Sequence, residues 1–194
     1  MGVGQCGNNI INELDAYGYN TFAINTSELD LKDIDVKHKF IIPKASGCAR
    51  DRRKALNYLK QNYNRILTSI SERFKEQDII YFVFSLGGGT GSGISPLLID
   101  ALSRKYYDKH FCSVVVAPSI NESIQCKINA IESYNELIRI PNLKSVFIID
   151  NNSLDDKLKI NTEFVRLFEE VVNVNKPNKR GVIDEYELEK LLTY

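Results

Sequence analysis

Residues 87–93 read Gly-Gly-Gly-Thr-Gly-Ser-Gly, close behind the apolar run Ile79–Phe84. A short stretch of β-branched, aromatic and aliphatic residues is the pattern of a buried strand. Five glycines in seven positions do not suit a packed regular element, because glycine weakens one. They suit a loop whose backbone N–H groups come very close to a ligand. The chain next takes a helical pattern from Ile94 to about Tyr106. The loop therefore opens onto a helix N-terminus, where unpaired N–H groups and the macrodipole favour an anion. Strand, glycine loop and helix start together predict a phosphate cradle. A linker would have neither a core strand before it nor an amphipathic helix after it.

The rest of the chain repeats the strand-to-helix alternation. Strands are predicted at Thr21–Asn25, Phe40–Ile42, Ile79–Phe84, Ser113–Ala117 and Ser145–Ile149. Helices are predicted at Asn8–Tyr17, Ile94–Tyr106, Glu122–Ile138 and Ile160–Val174. The longest starts at an N-capping Asp51 and carries Leu56, Leu59, Tyr63, Ile66, Leu67, Ile70 and Phe74 on one face. Such alternation predicts an α/β fold with a doubly wound, mostly parallel sheet and ligands at the carboxyl ends of its strands. The polar segment Asn173–Gly181 ends a helix, and the acidic segment Asp184–Glu189 starts another. A lone helix is a poor end for a domain, so a second domain is expected to be absent from these 194 residues.

Charge and rare residues exclude several classes of function. The formal net charge is zero, which argues against direct nucleic-acid or membrane-surface binding through charge. The four cysteines, at 6, 48, 112 and 126, form no CxxC pair and read as reduced thiols of a cytoplasmic protein. Two distant histidines, His38 and His110, supply neither a zinc site nor a histidine-based triad. No apolar run is long enough to span a bilayer.

A second loop, Gly2-Val3-Gly4-Gln5-Cys6-Gly7, fits G-x-G-x-x-G and opens a helix. By itself it suggests a dinucleotide-binding turn. Only Met1 precedes it, so the strand that should lead into it is expected to be missing. The place of a ribose-binding acid at the end of the second strand holds Asn25. The lysine of a Walker loop is absent from the glycine run as well. Two glycine loops at two helix starts suit a polyphosphate held from both sides.

Together, Gly4-Gln5-Cys6-Gly7-Asn8 and Gly87-Gly88-Gly89-Thr90-Gly91-Ser92-Gly93 resemble the tubulin/FtsZ superfamily of GTP-driven filament proteins, whose signature is the second motif. The likeness runs in order over nearly the whole chain and is greatest to the plasmid- and phage-borne TubZ type. It implies that Gly4, Gln5 and Cys6 touch the α- and β-phosphates. Ser85, Gly88, Gly89, Thr90, Gly91 and Ser92 would wrap them. Asn25 matches the loop near the γ-phosphate and magnesium, and Gly47, within Ser46–Arg50, matches the γ-phosphate-sensing loop. Glu122, after Pro118, would accept from a ribose hydroxyl. Cys126 stands where FtsZ proteins place an arginine. Asn151 and Asn161 would read guanine, whose edge needs both a donor and an acceptor. Lys157, one turn before Asn161, offers no aromatic ring to stack on the base. No side chain is assigned as a metal ligand, since magnesium leans on phosphate oxygens and water.

The resemblance further implies that Asp184 and Glu187 act on the neighbouring subunit's GTP, orienting the attacking water. Residues 1–159 would then form the GTP-binding domain. Residues 160–194 would supply the central helix, the acidic loop and the start of the next helix. The implied protein is a GTPase that assembles head to tail with itself, binds GTP or GDP with magnesium, and reaches plasmid or phage DNA only through an adaptor protein. Two rivals stand beside it: a tubulin-like nucleotide-binding module without turnover, and an NAD-binding Rossmann oxidoreductase.

Overall fold

The computed structural model describes residues 1–153, 156–173 and 184–193. Its strands are β1 (Gly2–Val3), β2 (Ala23–Asn25), β3 (Lys39–Ile41), β4 (Ile79–Ser85), β5 (His110–Ala117) and β6 (Leu143–Asp150). They form one sheet in the order β3-β2-β1-β4-β5-β6, every pair parallel. The helices are α1 (Gly4–Asp15), α2 (Arg52–Arg73), α3 (Thr90–Lys105), α4 (Ile124–Leu137), α5 (Lys157–Val172) and α6 (Glu185–Thr193). One core packs α2, α3 and Leu137 of α4 on one face of the sheet, around Phe82, Phe84 and Phe111. The second packs α1 and α5 on the other face, around Val83, Val114 and Val116. Successive strand residues point to opposite faces, so β4 and β5 feed both cores, as their unbroken apolar runs predict.

One expectation needs correction. The strand thought missing before the first glycine motif is present as β1, made from the motif's own Gly2 and Val3. Two residues suffice because β1 has a neighbour on each side. Gly2 N donates to Phe22 O at 3.0 Å, and Met1 O accepts from Val83 N at 2.8 Å. A two-residue strand has no periodicity for a sequence pattern to reveal.

The helix starts also differ. Helix α1 begins at Gly4 rather than Asn8, and α3 at Thr90 rather than Ile94. Glycine's low helix propensity pushed both expected starts too late, and tertiary packing overrides it. A Cβ at position 7 would lie 1.9 Å from Val83 O, and one at position 91 would lie 2.7 Å from Val3 O. At position 93 it would meet Ala55 Cβ at 2.9 Å. Gly91 and Gly93 therefore do serve packing, against the expectation that none of the five glycines would. They let the first turn of α3 lie against β1, β4 and α2.

Three other helices carry side-chain caps. Asp51 accepts from Lys54 N at 3.1 Å, Ser123 from Cys126 N at 3.4 Å, and Asp156 from Leu158 N at 2.9 Å. At α6 the cap is reciprocal. Asp184 Oδ1 accepts from Glu187 N at 2.8 Å, and Glu187 Oε2 accepts from Asp184 N at 3.2 Å, a capping box. The far end of α6 is anchored by Leu192 O, which accepts from Tyr81 Oη at 2.7 Å and Ser145 Oγ at 3.0 Å. Glu189 also pairs with His110, the first residue of β5, at 3.0 Å. Helix α6 thus sits toward the amino ends of β4–β6. Residues 174–183, which include all of the polar segment read as a helix end except Asn173, lie outside the described residues.

Candidate phosphate-binding site

The sheet order reverses between β1 and β4, which creates a crevice at the carboxyl ends of these strands. A cavity of about 460 Å³ occupies it, within the range of nucleotide-sized sites. Both glycine motifs reach it. Gly4, at φ +75°, turns the chain from β1 into α1, and Gln5 and Cys6 follow on its first turn. Opposite them Ser85, Gly87–Gly89, Thr90 and Gly91 lead from β4 into α3. Two helix N-termini therefore point their free N–H groups into one space, an arrangement suited to a polyphosphate. Gly88 is the open position of the cradle, where an added Cβ would meet nothing nearer than Ser85 Cβ at 3.9 Å.

Two further loops close the phosphate end. Gly47 N donates to Thr26 O at 2.7 Å, and the Thr26 and Thr90 hydroxyls share a hydrogen bond of 2.7 Å. The second loop holds Ala49 at φ 46° and Arg50 at φ 67°, two successive left-handed residues that are not glycine. Such conformations persist only when their surroundings hold them. Here Asn129 of α4, fully buried, donates its amide to Arg50 O at 2.8 Å and to Gly87 O and Gly88 O, each at 3.2 Å. Gln125 in turn donates to Asn129 Oδ1 at 2.9 Å. One side chain thus holds carbonyls of both loops on the side of α4. Arg52 joins the same elements, donating to Ser92 O at 3.0 Å and pairing with Glu132 at 2.8 Å and with Glu136.

The other end of the cavity is lined by Pro118, Glu122, Cys126, Asn151, Leu158 and Asn161. Glu122 and Cys126 lie together, with Cys126 Sγ donating to Glu122 Oε2 at 3.4 Å. Asn151 is fixed through its backbone to Ala117 O at 3.3 Å, leaving its side chain to face the cavity. Its neighbour Asn152 is a turn residue, accepting from Ile120 N at 2.8 Å.

Of the residues expected at the site, Gly4, Gln5, Cys6, Gly47, Ser85, Gly88, Gly89, Thr90, Gly91, Glu122, Asn151 and Asn161 line the cavity. Asn25 and Ser92 do not. The Asn25 carboxamide accepts from Thr26 N at 2.8 Å and donates to Asp30 at 3.2 Å, so it shapes its own loop. Ser92 is fully buried, and its hydroxyl bonds Gly88 O. The acids Asp184 and Glu187 do not line the cavity and stand at the start of α6, Asp184 as its cap and Glu187 on its first turn. Sequence reasoning missed Asp30, Leu158 and Asn129. The apolar Leu158, 63% exposed, stands beside the Lys157 position where an aromatic ring was sought. An asparagine in mid-helix gives no sequence signal at all.

The sheet order alone would also suit a dinucleotide-binding fold. The site argues otherwise, because the end of β2 offers no ribose acid and the second glycine loop has no place in that scheme.

The chain matches the GTPase domain of the tubulin/FtsZ family over residues 1–159. It is 39% identical, over 197 aligned positions, to the tubulin-like protein TubZ of Clostridium botulinum C phage, covering 98% of this chain and 55% of that protein. The crystal structure of TubZ from Clostridium botulinum phage c-st superposes with a TM-score of 0.89 at 37% identity, over 98% of this chain and 63% of that one. The tubulin-like protein CetZ of Pyrococcus horikoshii is 30% identical over 165 positions, which are 80% of this chain and 45% of CetZ. The chain thus spans about half the length of the curated relatives it matches.

Proposed function

The chain belongs to the tubulin/FtsZ family, and from that premise we propose that it is a cytoplasmic GTPase that polymerises head to tail. The observation that carries the reading is the convergence of two glycine-opened helix N-termini on one cavity at the β1/β4 crossover. Backbone N–H groups at Gly4–Cys6 and Gly88–Gly91 hold the α- and β-phosphates. The Gly47–Arg50 loop meets the γ-phosphate, Glu122 accepts from the ribose, and Asn151 and Asn161 read guanine. The donor set fits a triphosphate, being rich in amides and poor in carboxylates. Magnesium would rest mainly on phosphate oxygens and water. Asp30 is the carboxylate among the lining residues beside Thr26.

Asp184 and Glu187 stand at the opposite end of the sheet from the cavity. A subunit stacked head to tail brings its acids to its neighbour's nucleotide, where a carboxylate positions water for in-line attack. A heterologous contact of this kind does not close on itself and builds a filament. Among the described residues no helix is long and apolar enough to cross a membrane. The likeness to a phage-borne relative supports a role in partitioning plasmid or phage DNA. Zero net charge leaves that contact to an adaptor.

The test is binding of a fluorescent GTP analogue, with GTP, ATP and NAD as competitors, followed by hydrolysis across protein concentration. Displacement by GTP alone, with turnover per subunit rising above a threshold concentration, is expected. Displacement by NAD, or turnover strictly proportional to concentration, refutes the reading.

A further inference from the structure

Helix α6 meets the sheet with its last turn. Leu192 and Thr193 are buried, whereas Asp184, Glu185, Tyr186 and Glu187 are exposed. Among the described residues, every polar contact from α6 to the sheet falls between Glu189 and Leu192. Three strands donate to the single carbonyl of Leu192: Tyr81 of β4 at 2.7 Å, Cys112 of β5 at 3.7 Å and Ser145 of β6 at 3.0 Å. Glu189 pairs with His110 of β5 at 3.0 Å.

These contacts fix a direction. Moving three residues back along α6, from Leu192 to Glu189, shifts the contact on β5 from Cys112 to His110, the first residue of that strand. The helix therefore runs out past the amino ends of the strands. Asp184 lies five residues beyond Glu189, about 7.5 Å at the helical rise. The capping box ties both acids to this helix, each through one oxygen. Asp184 Oδ2 and Glu187 Oε1 take no part in it.

We propose that Tyr81, Ser145 and His110 are positioning residues, which aim Asp184 and Glu187 at a neighbouring subunit by fixing the far end of the helix that carries them. The inference rests on the reading that these acids serve the neighbour's nucleotide. Tyr81, Ser145 and His110 do not line the cavity, so they act on hydrolysis only through α6. The helix has nine residues and works as a short lever. A tilt of about 5° at the anchor moves the acid end by about 1 Å. A misplacement of about 1 Å at a reacting group can cost up to about a hundredfold in rate.

The test uses the full chain carrying Ser145→Ala and His110→Ala together. Both changes lie off α6, so the helix's own propensity is untouched. Amide hydrogen exchange in α6 should rise about tenfold, with the centre of β5 unchanged. GTP turnover at high protein concentration should fall about tenfold, while GTP affinity holds. Ser145→Thr, which keeps the hydroxyl, should match wild type, as should Arg104→Ala at an exposed ion pair of α3. Mixing the double variant with Gly88→Ala should restore part of the turnover. The first supplies a sound nucleotide site and the second well-placed acids, a rescue that a merely destabilised chain would not show. Unaltered exchange in α6 overturns the proposal, as does a loss of turnover that mixing leaves in place. A wild type without concentration-dependent turnover overturns the reading of the acids and the proposal with it. A double variant as fast as an active wild type overturns the proposal alone.

Discussion

Arg50 reaches across the mouth of the cavity to Glu122, guanidinium to carboxylate at 3.7 Å, and donates to Ser123 Oγ at 3.3 Å. The arginine comes from the loop at the phosphate end, and the glutamate from the segment leading into α4. Neither neighbours the other in sequence, and both line the cavity.

A triphosphate offers Arg50 a stronger partner than Glu122, since a charge-assisted hydrogen bond exceeds a half-exposed ion pair. Arg50→Ala should weaken GTP binding about tenfold and GDP binding much less, in line with the ~1.5–3 kcal/mol of a hydrogen bond to a charged group. Competition titrations with both nucleotides check this. Equal losses for GTP and GDP would assign the arginine to the loop's structure instead.

Asn129 should matter to binding without touching the ligand. Asn129→Leu keeps the volume but leaves the carbonyls of Arg50, Gly87 and Gly88 without their donor. A cost of about 1–3 kcal/mol in urea unfolding is expected. Nucleotide affinity should fall beyond what that loss explains, because both loops relax. A stability loss with unchanged affinity refutes the positioning role.

The glycines divide into two kinds. Gly91→Ala drives a Cβ to within 2.7 Å of Val3 O and should unfold the chain or lower its melting temperature by many degrees. Gly88→Ala meets no protein atom nearer than 3.9 Å, so thermal stability should hold while GTP binding drops at least tenfold. Thermal melts beside GTP titrations separate the two cases.

Changing Asp184 and Glu187 to Asn and Gln removes two charges but keeps the capping box, because both amides serve at these positions. GTP binding and the melting temperature should remain, while hydrolysis at high protein concentration should fall at least a hundredfold. Mixing this variant with one that cannot bind nucleotide should restore partial turnover, as complementary subunits meet at a junction. Full activity in the amide variant would remove both acids from the mechanism.

Burial pushes the Tyr19 and Tyr81 phenols and the Cys112 thiol above their ordinary values. A group with a raised folded-state pKa stabilises the fold below its unfolded-state pKa and loses that contribution as pH rises further. Stability should therefore decline above about pH 9. Tyr81→Phe should flatten the decline while costing the hydrogen bond to Leu192 O. Urea midpoints from pH 7 to 10.5 would show it.

The sequence by itself determined the α/β alternation, the parallel sheet and the two glycine loops that open helices. Each is written in local patterns: apolar runs at strand length, three-and-four spacing in helices, and glycines where backbone meets anion. That Asn151 and Asn161 belong together came from the resemblance rather than from local pattern, and the fold brings both to the cavity wall. Tertiary structure alone decided that Gly2 and Val3 are a strand, since only the flanking β2 and β4 make two residues into one. It decided as well that Gly91 and Gly93 serve packing, because the contacts that forbid a Cβ come from β1, β4 and α2. It turned Asn25 and Ser92 inward, and made Asn129 the tie between two loops some forty and eighty residues away. Local pattern records what the backbone needs at each step along the chain. Which carbonyl an amide meets depends on distances between elements, and those exist only after the sheet has closed.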